Sequence, residues 1–236
     1  MPATLFGISN PPLVDPARPG LQSITHRLLV ATPTLWLALQ FELAGADTTD
    51  DQLGPGRPPK AGFCCAVFGL PAAPDQPVVI SALDIGVGRD WELRTSGLWT
   101  EQTCEQPFVH WSYGLEAFAL AIDQPDELLR RGYGHRIPLG WELDFVAADE
   151  PPAIDDRGGH HGGRQVTQNG TVEGILLDAE GQTPLAGRAL RAFWMADPPV
   201  VSHVDKLRHH ERSRAATSEP AVVLPTMAGP WVVRRS

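Results

Sequence analysis

Acid–base chemistry needs an imidazole or a carboxyl group whose setting moves its pKa toward neutrality. The run FVHWSYGLEAFALAI (108–122) offers both, as His110 and Glu116. Side chains alternate between the faces of a strand. A strand here puts Phe108, His110, Ser112, Gly114, Glu116, Phe118, Leu120 and Ile122 on one face. Trp111, Tyr113, Leu115, Ala117, Ala119 and Ala121 fall on the other. If the first face lines an apolar hollow, burial raises the carboxyl pKa and lowers that of the imidazole. Glu116 could then give a proton and His110 take one. Glu105 and Glu101 are secondary candidates. The plainer alternative gives His110 a backbone carbonyl and Glu116 an arginine, Arg94 or Arg136. Trp91, Trp99, Trp111, Tyr113, Phe118 and Trp141 fall close together in the chain, between residues 91 and 141. Such rings either fill a core or line a pocket, where their π faces steady a developing cation.

Other chemistry is poorly represented. GVGRDW starts like a dinucleotide loop but lacks the third glycine, and no P-loop, GxSxG or HExxH is present. The paired histidines of GGHHGGR and His209–His210 fall short of the three or four convergent ligands of a metal site, so no metal and no cofactor are expected. Cys64, Cys65 and Cys104 are an odd, sparse set, which suits a reducing compartment. Cys64 and Cys65 read as buried filler on opposite faces of a strand. With 19 basic and 28 acidic side chains the formal charge is −9, and no basic stripe suggests nucleic acid. No apolar run reaches the ~18 residues of a membrane span, and the start lacks the pattern of a secretory signal. The expectation is a cytoplasmic protein without a transmembrane segment.

The elements that must position these groups read as strands. LWLALQFEL sets Leu35, Leu37, Leu39, Phe41 and Leu43 at period two. Further short runs are expected at 62–70, 76–85, 89–99 and 137–149, the last with Trp141, Leu143 and Phe145 on one face. A helical reading of 99–123 would align Trp111, Leu115, Phe118 and Ile122, but HWSYG is poor helix material, so a strand over 108–122 is preferred. A helical turn fits PDELLRR, with Gly132 as its cap. Residues 149–165 read as a loop, 171–178 and 184–195 as a hairpin, and AVVLP and PWVVRR as short terminal strands. Glycine and proline number 23 each, which implies many turns and no long helices. Strands without βαβ alternation predict an all-β, antiparallel barrel or sandwich, taken as one domain over 1–236. Residues 1–20 would be an extended arm, able to reach a neighbour in a homo-oligomer, and 200–220 would be mobile.

The run GLWTEQTCEQPFVHWSYGLEAFALAIDQPDELLRRGYGHRIPLGWELDF resembles bacterial proteins of the carotenoid 1,2-hydratase (hydroxyneurosporene synthase) kind and their lipocalin-like relatives. NGTVEGILLDAEGQTPLAGRALRAFWM is similar to their next hairpin. The resemblance covers about 85–195. It implies a lipocalin-like β-barrel that hydrates, cyclises or isomerises hydrophobic terpenoid or polyketide-like molecules without a redox cofactor. Two departures stand out. Fuller members have two barrel-like halves, and where relatives carry a polar His-containing segment this chain reads RALRAFWMADPP. The hydratase acid therefore has no counterpart position here.

Together these readings predict a cofactor-independent enzyme of the hydratase, cyclase or isomerase type acting on a hydrophobic small molecule. Glu116, His110 and Glu105 would be catalytic. Trp91, Trp99, Trp111, Tyr113, Phe118 and Trp141 would hold the substrate. The alternatives are a non-catalytic lipocalin-like carrier and a structural protein whose aromatics only fill a core.

Overall fold

A computed structural model describes residues 23–44, 60–86, 91–123, 134–155, 164–195, 221–224 and 231–234. The described segments are all strand and turn, with no helix among them. The strands are β1 (Ser23–Ala31), β2 (Trp36–Ala44), β3 (Lys60–Phe68), β4 (Val78–Gly86), β5 (Leu93–Thr95), β6 (Leu98–Gln106) and β7 (His110–Ile122). There follow β8 (Gly134–Ala147), β9 (Ala153–Asp155), β10 (Arg164–Asp178), β11 (Gly181–Met195), β12 (Ala221–Leu224) and β13 (Trp231–Arg234). Among the described residues, therefore, no helix is long and apolar enough to cross a membrane.

One antiparallel sheet runs β4-β3-β2-β1-β11-β10-β8-β7-β6-β5, with β9 on the side of β10. β1 bridges the two ends of the chain's long strands, pairing β2 on one side and β11 on the other. The path then meets itself. Val78 and Val79 of β4 pair with Ala121 and Leu120 of β7, and Ile122 N–H donates to the Pro77 carbonyl at 2.9 Å. β7 thus divides its free side between β6 along its first part and β4 at its end.

Period-two patterning decides what the ring encloses. Leu37, Leu39, Phe41 and Leu43 of β2 join Phe63, Cys65 and Val67 of β3 and Trp141, Leu143 and Phe145 of β8 in one buried cluster. A second, smaller cluster lies on the opposite face of β2–β4, where Ala38, Cys64, Ala66 and Val79 pack with Ile122 and with Leu224 of β12. Cys64 and Cys65 accordingly sit on opposite faces, both buried, both free thiols.

Elements expected from the alternation are present, with shifted ends. The late hairpin is longer than the sequence suggested: β10 and β11 pair from Arg164↔Met195 to Asp178↔Gly181 around a two-residue turn. Part of the stretch read as a 149–165 loop is β9 and the start of β10. AVVL and WVVR pair as a terminal hairpin. The N-terminal arm, the PDELLRR turn with Gly132, the GGHHGG motif, His209–His210 and the 200–220 tail lie outside the described residues.

Candidate functional site

β7 is a strand, as expected, but its parity is the reverse of the one that would bury His110 and Glu116. Trp111, Tyr113 and Leu115 face the enclosed core, each at most 2 % exposed. Glu116 is exposed, and Phe118 is 64 % exposed. Two faces competed for one interior. The odd face offers indole, phenol and Leu, whereas the even face offers His, Ser, Gly and Glu over the same span. Burying the larger apolar area wins. The even face does go under cover at its far end, where Ile122 joins the outer cluster.

The predicted catalytic trio is therefore on the outside. His110 Nε2 meets Asp144 Oδ1 at 2.9 Å, not a backbone carbonyl. The Ser112 hydroxyl is placed to donate to Asp144 at 2.9 Å and to Glu105 at 3.1 Å. Glu116 forms no ion pair among the described residues, and Arg94 pairs with Glu92 instead. Glu116, Trp99 and Phe118 do come together, but along an open outer groove of about 810 Å³ shared with Pro138 and Leu177. Trp99 leans over Gly114 there, and its Nε1 donates to Glu92 at 2.8 Å. Of the predicted ligand-binding aromatics, Trp91, Trp111, Tyr113 and Trp141 are buried in the core, while Trp99 is half-buried and Phe118 exposed.

The core itself holds a polar cluster that sequence reasoning missed. His26 of β1 and Arg191 of β11 lie on the inward parity of their strands, among Ile24, Leu28, Ala189 and Phe193. Arg191 is 1 % exposed. Its Nε–H donates to His26 Nε2 at 2.8 Å and its Nη1 to Gln168 Oε1 at 2.5 Å. The guanidinium lies 3.9 Å from the Trp111 ring centroid and 5.2 Å from that of Phe193. A guanidinium can only donate, so Nε2 is the accepting nitrogen of His26 and its proton sits on Nδ1. Tyr113 OH also reaches Nε2, at 3.4 Å, and its oxygen sits against the guanidinium. The imidazole meets Trp111 edge-on, 4.9 Å between centroids.

Burial is the main influence on every titratable member. It drives the His26 pKa well below the usual imidazole value, and the neighbouring Arg191 charge pushes the same way. It lifts the Tyr113 phenol to about 12 against the pull of Arg191, and it lowers Arg191. The resting cluster is therefore a neutral imidazole, a neutral phenol and a cation. Gln102 lies beside His26 and is buried, yet neither its Oε1 nor its Nε2 makes a regular hydrogen bond among the described residues. Trp111 Nε1 is likewise unpaired. Buried polar atoms are nearly always satisfied, so this concentration of orphans in one place is unusual.

One turn closes over the cluster. Pro107–Val109 joins β6 to β7, with Phe108 at φ +59°. The Phe108 carbonyl accepts from Gln168 Nε2 at 2.7 Å, its ring stands 6.3 Å from Phe193, and the Val109 carbonyl accepts from Ala147 N–H at 2.8 Å. A left-handed phenylalanine costs on the order of 1 kcal/mol or more and persists only where its surroundings hold it.

A signal for this site was present in the sequence. His26 and Arg191 each interrupt an otherwise apolar parity set, Ile24–Leu28–Val30 and Leu185–Ala189–Phe193. No group of three or more His, Cys, Asp or Glu among the described residues could hold a metal ion. Comparison with protein-family models, with curated proteins and with solved structures finds no match to this chain.

Proposed function

We propose that the ring of strands is a lipocalin-like barrel and that the chain is a cofactor-independent acid–base enzyme acting on a hydrophobic, polyketide-like or terpenoid substrate. The observation that carries this reading is the hydrogen-bonded His26–Arg191–Tyr113 cluster enclosed by aromatic side chains. The catalytic role moves from Glu116 and His110 to these interior groups. The Phe108 turn, held in a left-handed conformation and bonded to Gln168 of the cluster, is where we place the entry of a substrate.

The donors now spent on His26 define the chemistry. A substrate carbonyl that takes over the hydrogen bonds of Arg191 and Tyr113 frees the imidazole lone pair. His26 then removes a proton from the carbon beside that carbonyl, and the electron pair moves into an enolate. Arg191 and Tyr113 stabilise the oxyanion, the arrangement that supplies most of the acceleration in such reactions. The imidazolium exchanges its proton with water, and return of a proton to a different carbon shifts a double bond and restores the neutral imidazole. The low pKa keeps His26 unprotonated at neutral pH, and the negative charge developing on the enolate beside it is what would favour its taking a proton during the cycle. Isomerisation is thus favoured over direct hydration. Protonating an unactivated alkene needs a carboxylic acid, and none faces the cluster among the described residues.

The test is proton exchange. Wild-type protein should incorporate deuterium from heavy water into an apolar β,γ-unsaturated ketone and convert it to the conjugated isomer. His26→Gln and Tyr113→Phe should each slow this about 10²–10⁴-fold, while Glu116→Gln should leave it unchanged. Equal rates in wild type and His26→Gln would remove the proposal. Native mass spectrometry that finds a co-purified ligand, with no exchange by any variant, would establish the carrier reading instead.

A further inference from the structure

We infer that the ligand of the interior site carries an anionic oxygen headgroup on an apolar body, and that Arg191 is its counter-charge. The inference rests on the interior cluster being the binding site, and it adds the charge of the molecule bound there.

The argument is one of charge balance. Arg191 is sealed inside the ring, yet its hydrogen-bond and ring partners among the described residues, His26, Gln168, Tyr113, Trp111 and Phe193, are neutral, and the other titratable group close to it is the cysteine side chain of Cys104. Buried charges are ordinarily paired, because removing an ion from water is expensive and only a close opposite charge offsets it. No carboxylate among the described residues faces the guanidinium. The Tyr113 phenol is held neutral by burial, and the buried carboxylate of Glu42 lies on the other face of β2, bonded to Gln40 at 2.7 Å.

The hydrogen-bond count agrees. A guanidinium has five N–H donors in a planar fork. His26 and Gln168 take one from Nε and one from Nη1, and Tyr113 lies against the group. Donors remain for a bidentate oxygen ligand, the geometry in which arginine binds anions best. Gln102 adjoins His26, and the Trp111 ring lies against the guanidinium with its indole N–H unpaired. Thr100 apart, the rest of the enclosed cluster is largely aromatic and aliphatic, which suits a ligand with an apolar body. A carboxylate and an ionised β-dicarbonyl share this headgroup chemistry.

Binding, read by intrinsic tryptophan fluorescence and calorimetry, tests the inference without reference to turnover. Three probes separate the sources: dodecanoate, an acylated cyclic β-diketone that is ionised at neutral pH, and dodecanol as the uncharged control. In wild type one or both anions should bind at least about tenfold more tightly than the alcohol, the difference a charged hydrogen bond makes. Tighter binding of dodecanoate assigns a carboxylate, and tighter binding of the diketone assigns an enolate. Arg191→Met should abolish the preference, and Arg191→Lys should keep part of it. Equal affinity for alcohol and anions in wild type, or no binding of any probe, would overturn the inference even if Arg191→Met does not fold. Anion-selective binding together with an absence of proton exchange would leave this inference standing while removing the enzymatic proposal.

Discussion

Protonation of His26 is opposed by burial and by the cation hydrogen-bonded to it. That makes the residue a determinant of how stability varies with pH. In the unfolded chain an imidazole takes up its proton near pH ~6.5. In the folded chain His26 does so only at a much lower pH. Between those limits the unfolded state binds more protons, so stability is full above the unfolded value and falls as pH drops below it. The expected slope from this one group approaches about 1.4 kcal/mol per pH unit. Urea unfolding of wild type and His26→Leu from neutral to acidic pH checks it, because the difference between the two should carry that slope. A parallel pair of curves would show that His26 is protonated in the native state. The residues of this site were partly legible. His26 and Arg191 stand out as polar members of apolar parity sets, and that signal outweighs the proximity of His110 to Glu116. The facing of β7 was harder to read, because Phe108 and Phe118 put large rings on the even face too and only the span 110–116 separates the two faces by apolar area.

Elements were easier to read than the way they face. Alternation located β2, β7 and β8 because each presents large apolar residues at period two. Boundaries slipped where pairing overrides composition. RQVTQNG looks like a loop by its polar residues, yet it forms the first half of β10 because β11 supplies a ladder of partners along it. Close approach of strands also places glycines. A Cβ on Gly174 of β10 would stand 2.0 Å from the Glu142 carbonyl oxygen of β8, a backbone atom that cannot swing aside. Gly174→Ala should therefore cost about 1–3 kcal/mol, measured by chemical denaturation. Gly114→Ala meets only the far edge of the Trp99 indole and should be milder, so a ranking with Gly114→Ala the more damaging would contradict this account.

At the scale of the molecule, the ring is closed unequally. β7 and β8 share thirteen register pairs, whereas β4 and β7 share two. Opening free energy should follow this difference, because regions with few cross-strand bonds open first. Native-state hydrogen exchange should find the amides of Val79, Leu120 and Ile122 less protected than those of Trp111–Leu115. Uniform protection around the ring would mean that side-chain packing, not pairing, holds the seam. Sequence alone could predict an all-β chain but not this closure, which depends on two residue pairs linking segments forty positions apart. The outer face of β7, β8 and β10 leaves Phe118, Val146, Ile175 and Leu177 in solvent, while His26, Gln102, Gln168 and Arg191, which the composition would place outside, are enclosed by the ring.

The pairing of β1 with β11 sets a condition on biosynthesis. Of the described strands β1 is made first, and its second neighbour is made only when residues 188–195 have been translated. Until then one hydrogen-bonding edge of β1 stays exposed, and the hairpins already made form an open ribbon with an uncovered apolar face. A stall or truncation before Arg188 would therefore release a sticky, incomplete sheet in place of a shorter folded protein.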